Sequence, residues 1–282
     1  MRPRGFTLVE LLATISVLTL LTALLLPALG AARERAKAAL CAAQVRQLLL
    51  GMSNYEAANE TFPPGFQPAG LPAPPGPYAG SPVIDLVGKW WFDFSEKVDH
   101  ESQAGTHVLE CPSKRQRDPR LVPDILSGNY GANLSICRTD RYLKTYREEF
   151  SGRPLSSHSI PQPGATLLLV DGGYSLISWW HATAEPPEKL PEGPPSVGYI
   201  QHTAYVPGLE INHTRTLWPG QTEDALGGRH PHKTVNVGFV DGHVARKGAD
   251  ELLVERTADG QWNSGPLWQP GRDRVIPQGT TP

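Results

Sequence analysis

Two places in this 282-residue chain bring ionisable side chains into settings that suggest chemistry. The first is Glu10, a single carboxylate near the start of an otherwise apolar run from Phe6 to about Leu29. An ionisable group inside membrane hydrocarbon costs roughly 2.5–3.5 kcal/mol on insertion scales, so it implies a working partner. The second is Arg229-His230-Pro231-His232, followed by Asn236-Val237-Gly238-Phe239-Val240-Asp241-Gly242-His243. His230 and His232 are two apart, so extended backbone points both the same way, and imidazole is a common metal ligand. One reading puts zinc between His230, His232 and His243. The other makes the Asp241-Gly242 hairpin structural, with no bound metal, and this second reading is the expectation. Neither HExxH-type spacing nor a CxxC pair supports a metal here.

The elements around these residues follow from patterning. Met1-Arg2-Pro3-Arg4-Gly5 is a short basic leader, and the apolar run after it is about 24 residues, or ~36 Å of helix, enough to cross a ~30 Å core. A signal peptide has a shorter apolar core, and a plain anchor leaves Glu10 unexplained. Beyond Pro27 the Ala-rich sequence keeps helical spacing, with Leu40, Leu48, Leu49, Met52 and Tyr55 as the expected buried stripe. One long helix over 6–58 is therefore expected, its first half in lipid and its second half packed on a domain. Arg2 and Arg4 precede the span while Arg33, Arg35 and Lys37 follow it, so positive charge does not fix orientation.

Gly and Pro, 28 of each, make about a fifth of the chain and predict a loop-rich domain, with 63–82 as a spacer. Two β-hairpins are expected, one turning at Asp171-Gly172-Gly173 and one at Asp241-Gly242. Val235, Val237 and Phe239 share a strand face expected to lie against the long helix. The cluster Trp90-Trp91-Phe92 reads as core more readily than as a stacking site. Lys114, Arg115, Arg117 and Arg120 read as a solvated loop. A net charge of −2 gives no footprint for nucleic acid. No G-x-S-x-G elbow, P-loop or dinucleotide fingerprint is present, and Ser156-Ser157-His158 makes no triad by adjacency, so no enzyme and no cofactor is expected.

Gly5-Phe6-Thr7-Leu8-Val9-Glu10 after a few basic residues resembles the cleavage and methylation motif of type IV prepilins and type II secretion pseudopilins. The resemblance implies cutting between Gly5 and Phe6 by a prepilin peptidase, N-methylation of Phe6, and an assembly role for Glu10 among pilin-like subunits. It also places Pro27 where many pilins kink the helix. Asn236 to Val244 resembles the ending of pseudopilin-like proteins that carry a His, nine residues, then Asp-Gly. This chain departs from that spacing, with ten residues between His230 and Asp241 and eight between His232 and Asp241.

The expected fold is α+β and pilin-like: a long N-terminal helix on a loop-rich antiparallel sheet. The expected segments are a leader at 1–5, a transmembrane helix at 6–29, its continuation at 30–60, an exported globular domain at 61–260 and a Pro/Gly-rich tail at 261–282. The expected setting is the bacterial inner membrane, single-pass, N-terminus cytoplasmic, with the domain periplasmic or extracellular. The expected function is a filament subunit; the rivals are a membrane-tethered binding module and a metal-dependent exported hydrolase. Three cysteines in an exported chain imply one disulfide and one thiol. Cys111–Cys137 with Cys41 free is the expected pairing, and Cys41–Cys111 is its rival.

Overall fold

A computed structural model describes residues 7–68, 88–94, 108–115, 128–139, 148–184, 204–215, 217 and 220–271. Gly5 and Phe6, most of the Pro-rich spacer, Arg117, Arg120 and residues 272–282 lie outside the described residues.

Helix α1 runs Leu8–Asn59 as a single 52-residue helix, about 78 Å long, with Pro27 inside it. Thr7 caps its start: the hydroxyl accepts from Glu10 N at 3.2 Å, while Glu10 Oε2 accepts from Thr7 N at 2.9 Å. This reciprocal capping box satisfies two amides that the first turn leaves open. At the other end Glu60 takes left-handed backbone, φ 64°, and its N–H bonds Glu56 O. Residues 8–33 of α1 are exposed on every side, and burial begins at Ala38. The buried stripe is Ala38, Cys41, Gln44, Val45, Leu48, Leu49 and Met52. Leu40, expected in that stripe, is instead 48% exposed, because it lies one residue out of step with Cys41 and Gln44.

A five-stranded sheet, ordered β5-β3-β4-β6-β7, carries the domain. Its strands are β3 (Tyr130–Asn133), β4 (Leu167–Asp171), β5 (Leu176–Ile177), β6 (Thr234–Phe239) and β7 (Val244–Gly248). All neighbours are antiparallel except β3 and β5. A separate ribbon pairs β1 (Phe66–Pro68) with β2 (Gly88–Trp90). Trp90, Trp91 and Phe92 are buried, and Trp91 Nε1 donates to Ser175 O at 2.9 Å, so the aromatic cluster is core.

The hairpin expected at Asp171-Gly172-Gly173 does not form. The chain leaves β4, passes β3 and returns as β5 on its far side, parallel to it. These glycines serve close approach and not a positive-φ turn. A Cβ on Gly173 would fall 2.3 Å from the Tyr205 ring, and one on Gly172 would fall 3.2 Å from Gly131 N.

The hairpin at Asp241-Gly242 does form, between β6 and β7. Its loop is three residues, closed by Phe239 N to His243 O at 2.9 Å, with only Gly242 at positive φ, 88°. Asp241 contributes a side-chain bond: Oδ1 accepts from His243 N at 3.1 Å.

The face of β6 that meets the helix is the opposite of the one expected. A Cβ on Gly238 would lie 2.7 Å from Leu49 Cδ1 and 2.9 Å from Val45 Cγ1, and Asn236 Nδ2 donates to Ala38 O at 3.4 Å. Asn236 and Gly238 therefore face α1, and alternation turns Val235, Val237 and Phe239 to the other side, where they are buried as well. The hydrophobic rule cannot choose between two covered faces; the lack of a side chain on Gly238 admits the helix. The domain also runs past residue 260. Trp268 is 1% exposed, its Nε1 donates to Leu252 O at 2.9 Å, and its carbonyl accepts from Asn133 Nδ2 at 2.9 Å.

Candidate functional site

At the N-terminal end, Gly5 and Phe6 are not described, but the first turn beside them is. Thr7 Oγ1 donates to Glu10 Oε2 at 2.8 Å, in addition to the backbone bond, so Oε2 takes both. Among the described residues Oε1 has no partner. From Leu8 to Leu29 the large apolar side chains stay well exposed, from 47% at Ile15 to 85% at Leu8. Among the described residues this is the one helix long and apolar enough to cross a membrane.

A second constellation sits where α1 meets the sheet. Four segments deliver one buried side chain each: Cys41 from α1, Cys111 from the loop after Val108, Asp171 from the end of β4, and His230 from the lead into β6. One donor atom from each lies within 4.8 Å of all the others. Cys111 Sγ is 3.6 Å from Cys41 Sγ, Cys41 Sγ donates to Asp171 Oδ1 at 3.2 Å, and His230 Nε2 is 3.1 Å from Asp171 Oδ2. Around them Tyr130 Oη donates to Cys41 Sγ at 3.3 Å and to Gln44 Oε1 at 2.8 Å, and Asn236 N donates to Asp171 Oδ2 at 2.7 Å.

Burial and charge act against each other here. Burial opposes a charged His230, yet its contacts with Asp171 and Cys111 outweigh that and raise its pKa to about 9. Burial pushes the Cys111 thiol up, but its hydrogen bonds with Cys41 and His230 bring it down to about 6. Burial raises Cys41 well above the usual thiol range, reinforced by Cys111 and Asp171. Asp171 is held below the usual carboxylate range: His230, Arg229 and the Asn236 N–H overcome its desolvation.

An adjacent buried ion pair positions the set. Arg229 donates from Nε to both Asp224 oxygens at 2.9 Å and from Nη2 to Oδ2 at 2.6 Å. Nη1 bonds Asn129 O at 2.7 Å and Nη2 bonds Gly172 O at 2.8 Å. Asn129 Oδ1 in turn accepts from Cys111 N at 3.3 Å. The guanidinium thus ties together the backbone next to Cys111, Asp171 and His230.

The cysteine pairing is corrected, and the rival zinc set of His230, His232 and His243 is not assembled. His232 is exposed with φ 60°, and exposed His243 bonds Asp241 and stacks on Phe239 at 4.2 Å, while only His230 is buried. All three cysteines are free, and Cys111 lies against Cys41 and not in a bond to Cys137. The reason is the helix: α1 brings Cys41 onto the end of β4, beside the Asn129-anchored loop. Cys137, wholly buried, has its thiol pushed up by desolvation alone. Asn236 does belong to the centre, through its amide and its side chain, 3.1 Å from His230 Nε2. Asp241 and Gly242 belong to the hairpin only. Sequence reading missed Asp171, which it assigned to a turn, and Asp224, whose pairing with Arg229 five residues on carries no local pattern.

Comparison with known proteins identifies the class at the N-terminus. Residues 1–26 match the family described as "Prokaryotic N-terminal methylation motif", so the chain opens with a prepilin-type motif that runs into the one described helix long and apolar enough to cross a membrane. Residues 30–144 match the family described as "Protein of unknown function (DUF1559)". That match contains Cys41 and Cys111; Asp171, His230 and the Asp241-Gly242 hairpin lie beyond it. No curated protein and no solved structure matches the chain.

Proposed function

We propose that the mature chain begins at N-methylated Phe6 and serves as a non-catalytic structural subunit of a type II secretion or type IV pilus-like filament. The observation that supports this most is the helix that follows the methylation motif: residues 8–33 are exposed all round although most are apolar. A surface of that kind needs cover, by lipid before assembly and by the same helices of neighbouring subunits afterwards. Glu10 stands four residues after the new amino terminus. Its Oε1, unpartnered among the described residues, is available to the methylated amine of a neighbouring subunit, which offsets the burial of both charges. In the membrane the amino terminus faces the cytoplasm, where prepilin peptidase cuts, and the globular domain lies periplasmic or extracellular.

Mass spectrometry of the amino terminus from cells with active prepilin peptidase tests processing: methylated Phe6 is expected, and an intact Met1 or a start near Ala32 refutes it. Filament assembly is tested by shearing or cross-linking, and a processed chain found only as isolated monomers in the inner membrane would refute the subunit role.

A further inference from the structure

The buried side chains at the junction of α1 and the sheet point to a ligand that the filament role does not require. We propose that Cys41, Cys111, Asp171 and His230 form a closed tetrahedral site for a divalent ion of the zinc class, which clamps the long helix to the globular domain.

The donor set is the first argument. Two thiolates with an imidazole and a carboxylate are borderline-soft ligands suited to zinc, and four protein ligands define a structural site. Spacing is the second. Two sulfurs at ~2.3 Å from a tetrahedral ion are about 3.8 Å apart, and a nitrogen and an oxygen at ~2.0–2.1 Å are about 3.3 Å apart. The observed separations are 3.6 Å between the sulfurs and 3.1 Å between His230 Nε2 and Asp171 Oδ2. A disulfide requires sulfurs at ~2.03–2.05 Å. The third argument is the surroundings. Asn236 N and Tyr130 Oη already orient Asp171 and Cys41, as outer groups orient metal ligands.

Binding is an exchange of ions without redox change. Zn²⁺ enters, and the two cysteines and the imidazole, between them, give up whatever protons they hold, up to three; Asp171 enters as the carboxylate. The ligands come from both sides of the junction, Cys41 from α1 and the other three from the domain, so the ion fixes the angle at which the anchor leaves the domain.

The test uses the full chain in detergent, expressed with zinc and measured by elemental analysis and zinc X-ray absorption. The expected result is about one zinc per chain with two sulfurs at ~2.3 Å and two lighter ligands at ~2.0–2.1 Å. Chelation should expose Cys41 and Cys111 to thiol reagent. Cys111→Ser and Asp171→Asn should each lower zinc affinity at least tenfold, while Cys137→Ser and His243→Ala should leave it unchanged. Cobalt(II) added to chelated wild-type protein should give thiolate-to-metal charge-transfer absorption, a readout independent of how the variants fold. Folded wild-type protein that takes up neither zinc nor cobalt overturns the proposal. So does an intact Cys41–Cys111 disulfide in protein isolated from the native envelope.

Discussion

Replacing Asp224 by Asn keeps the shape of the side chain and removes its charge, which makes it the sharpest probe of how the junction is held. Asp224 is fully buried and receives three bonds from Arg229, one from Tyr205 Oη at 2.9 Å and one from Arg115 N at 2.9 Å. In Asp224→Asn the guanidinium keeps its bonds to the carbonyls of Asn129 and Gly172 but stays buried without its paired carboxylate. Breaking one side of a buried pair costs about 3–5 kcal/mol, a large share of the ~5–15 kcal/mol that holds a domain together. At about 2–4 °C per kcal/mol for a domain of this size, the melting temperature should fall by roughly 6–20 °C. Denaturant unfolding of the full chain in detergent gives the energy directly. The double variant Asp224→Leu with Arg229→Met should recover only part of the loss, since an apolar pair needs no desolvation of charge but leaves Tyr205 Oη, Arg115 N and the Gly172 carbonyl without these partners. The double variant also cuts the ties from Arg229 to Asn129 and Gly172, so recovered stability should come with weakened metal uptake. A loss below ~1 kcal/mol in the single variant would refute the account of Arg229 as a buried cation dependent on Asp224.

Other outcomes follow from the same contacts. Gly238→Val, at ordinary φ but with its Cβ 2.7 Å from Leu49, should cost about 1–3 kcal/mol by prising the helix from β6; an unchanged unfolding midpoint would refute the packing. Gly242→Ala meets open space but φ 88°, so it should cost roughly 1 kcal/mol without disturbing the helix contact, as unchanged hydrogen-exchange protection of α1 around Leu49 would report. In chelated protein two shifts oppose each other. A raised His230 contributes stability below about 6.5 that is lost as pH rises through about 9, and a lowered Cys111 contributes stability above about 9 that is lost as pH falls through about 6. Denaturation should therefore be nearly flat from pH 6.5 to 9 in the parent, whereas Cys111→Ser should lose stability with rising pH; equal slopes would refute the pairing. Glu10→Ala should ease membrane insertion while filament incorporation falls, and normal incorporation would deny Glu10 its assembly role.

What the sequence determined by itself is local or periodic. The leader motif, the span and the long helix are contiguous, so Gly5, Phe6 and Glu10 stand out without any fold, and the amide pattern at Thr7 and Glu10 follows from residue order alone. The Asp241-Gly242 hairpin was equally legible, because β6 and β7 are neighbours in chain and in space. Tertiary structure decided everything that depends on which covered face meets which. Val235, Val237 and Phe239 alternate as a buried face should, but both faces of β6 are covered, and the bare backbone at Gly238 put the helix on the other one. Asp171-Gly172-Gly173 reads as a turn until β3 is seen to lie between β4 and β5. Cys41, Cys111, Asp171 and His230 lie up to 189 positions apart, the span from Cys41 to His230. No spacing rule joins them; the packing of a helix across the ends of three separate segments does.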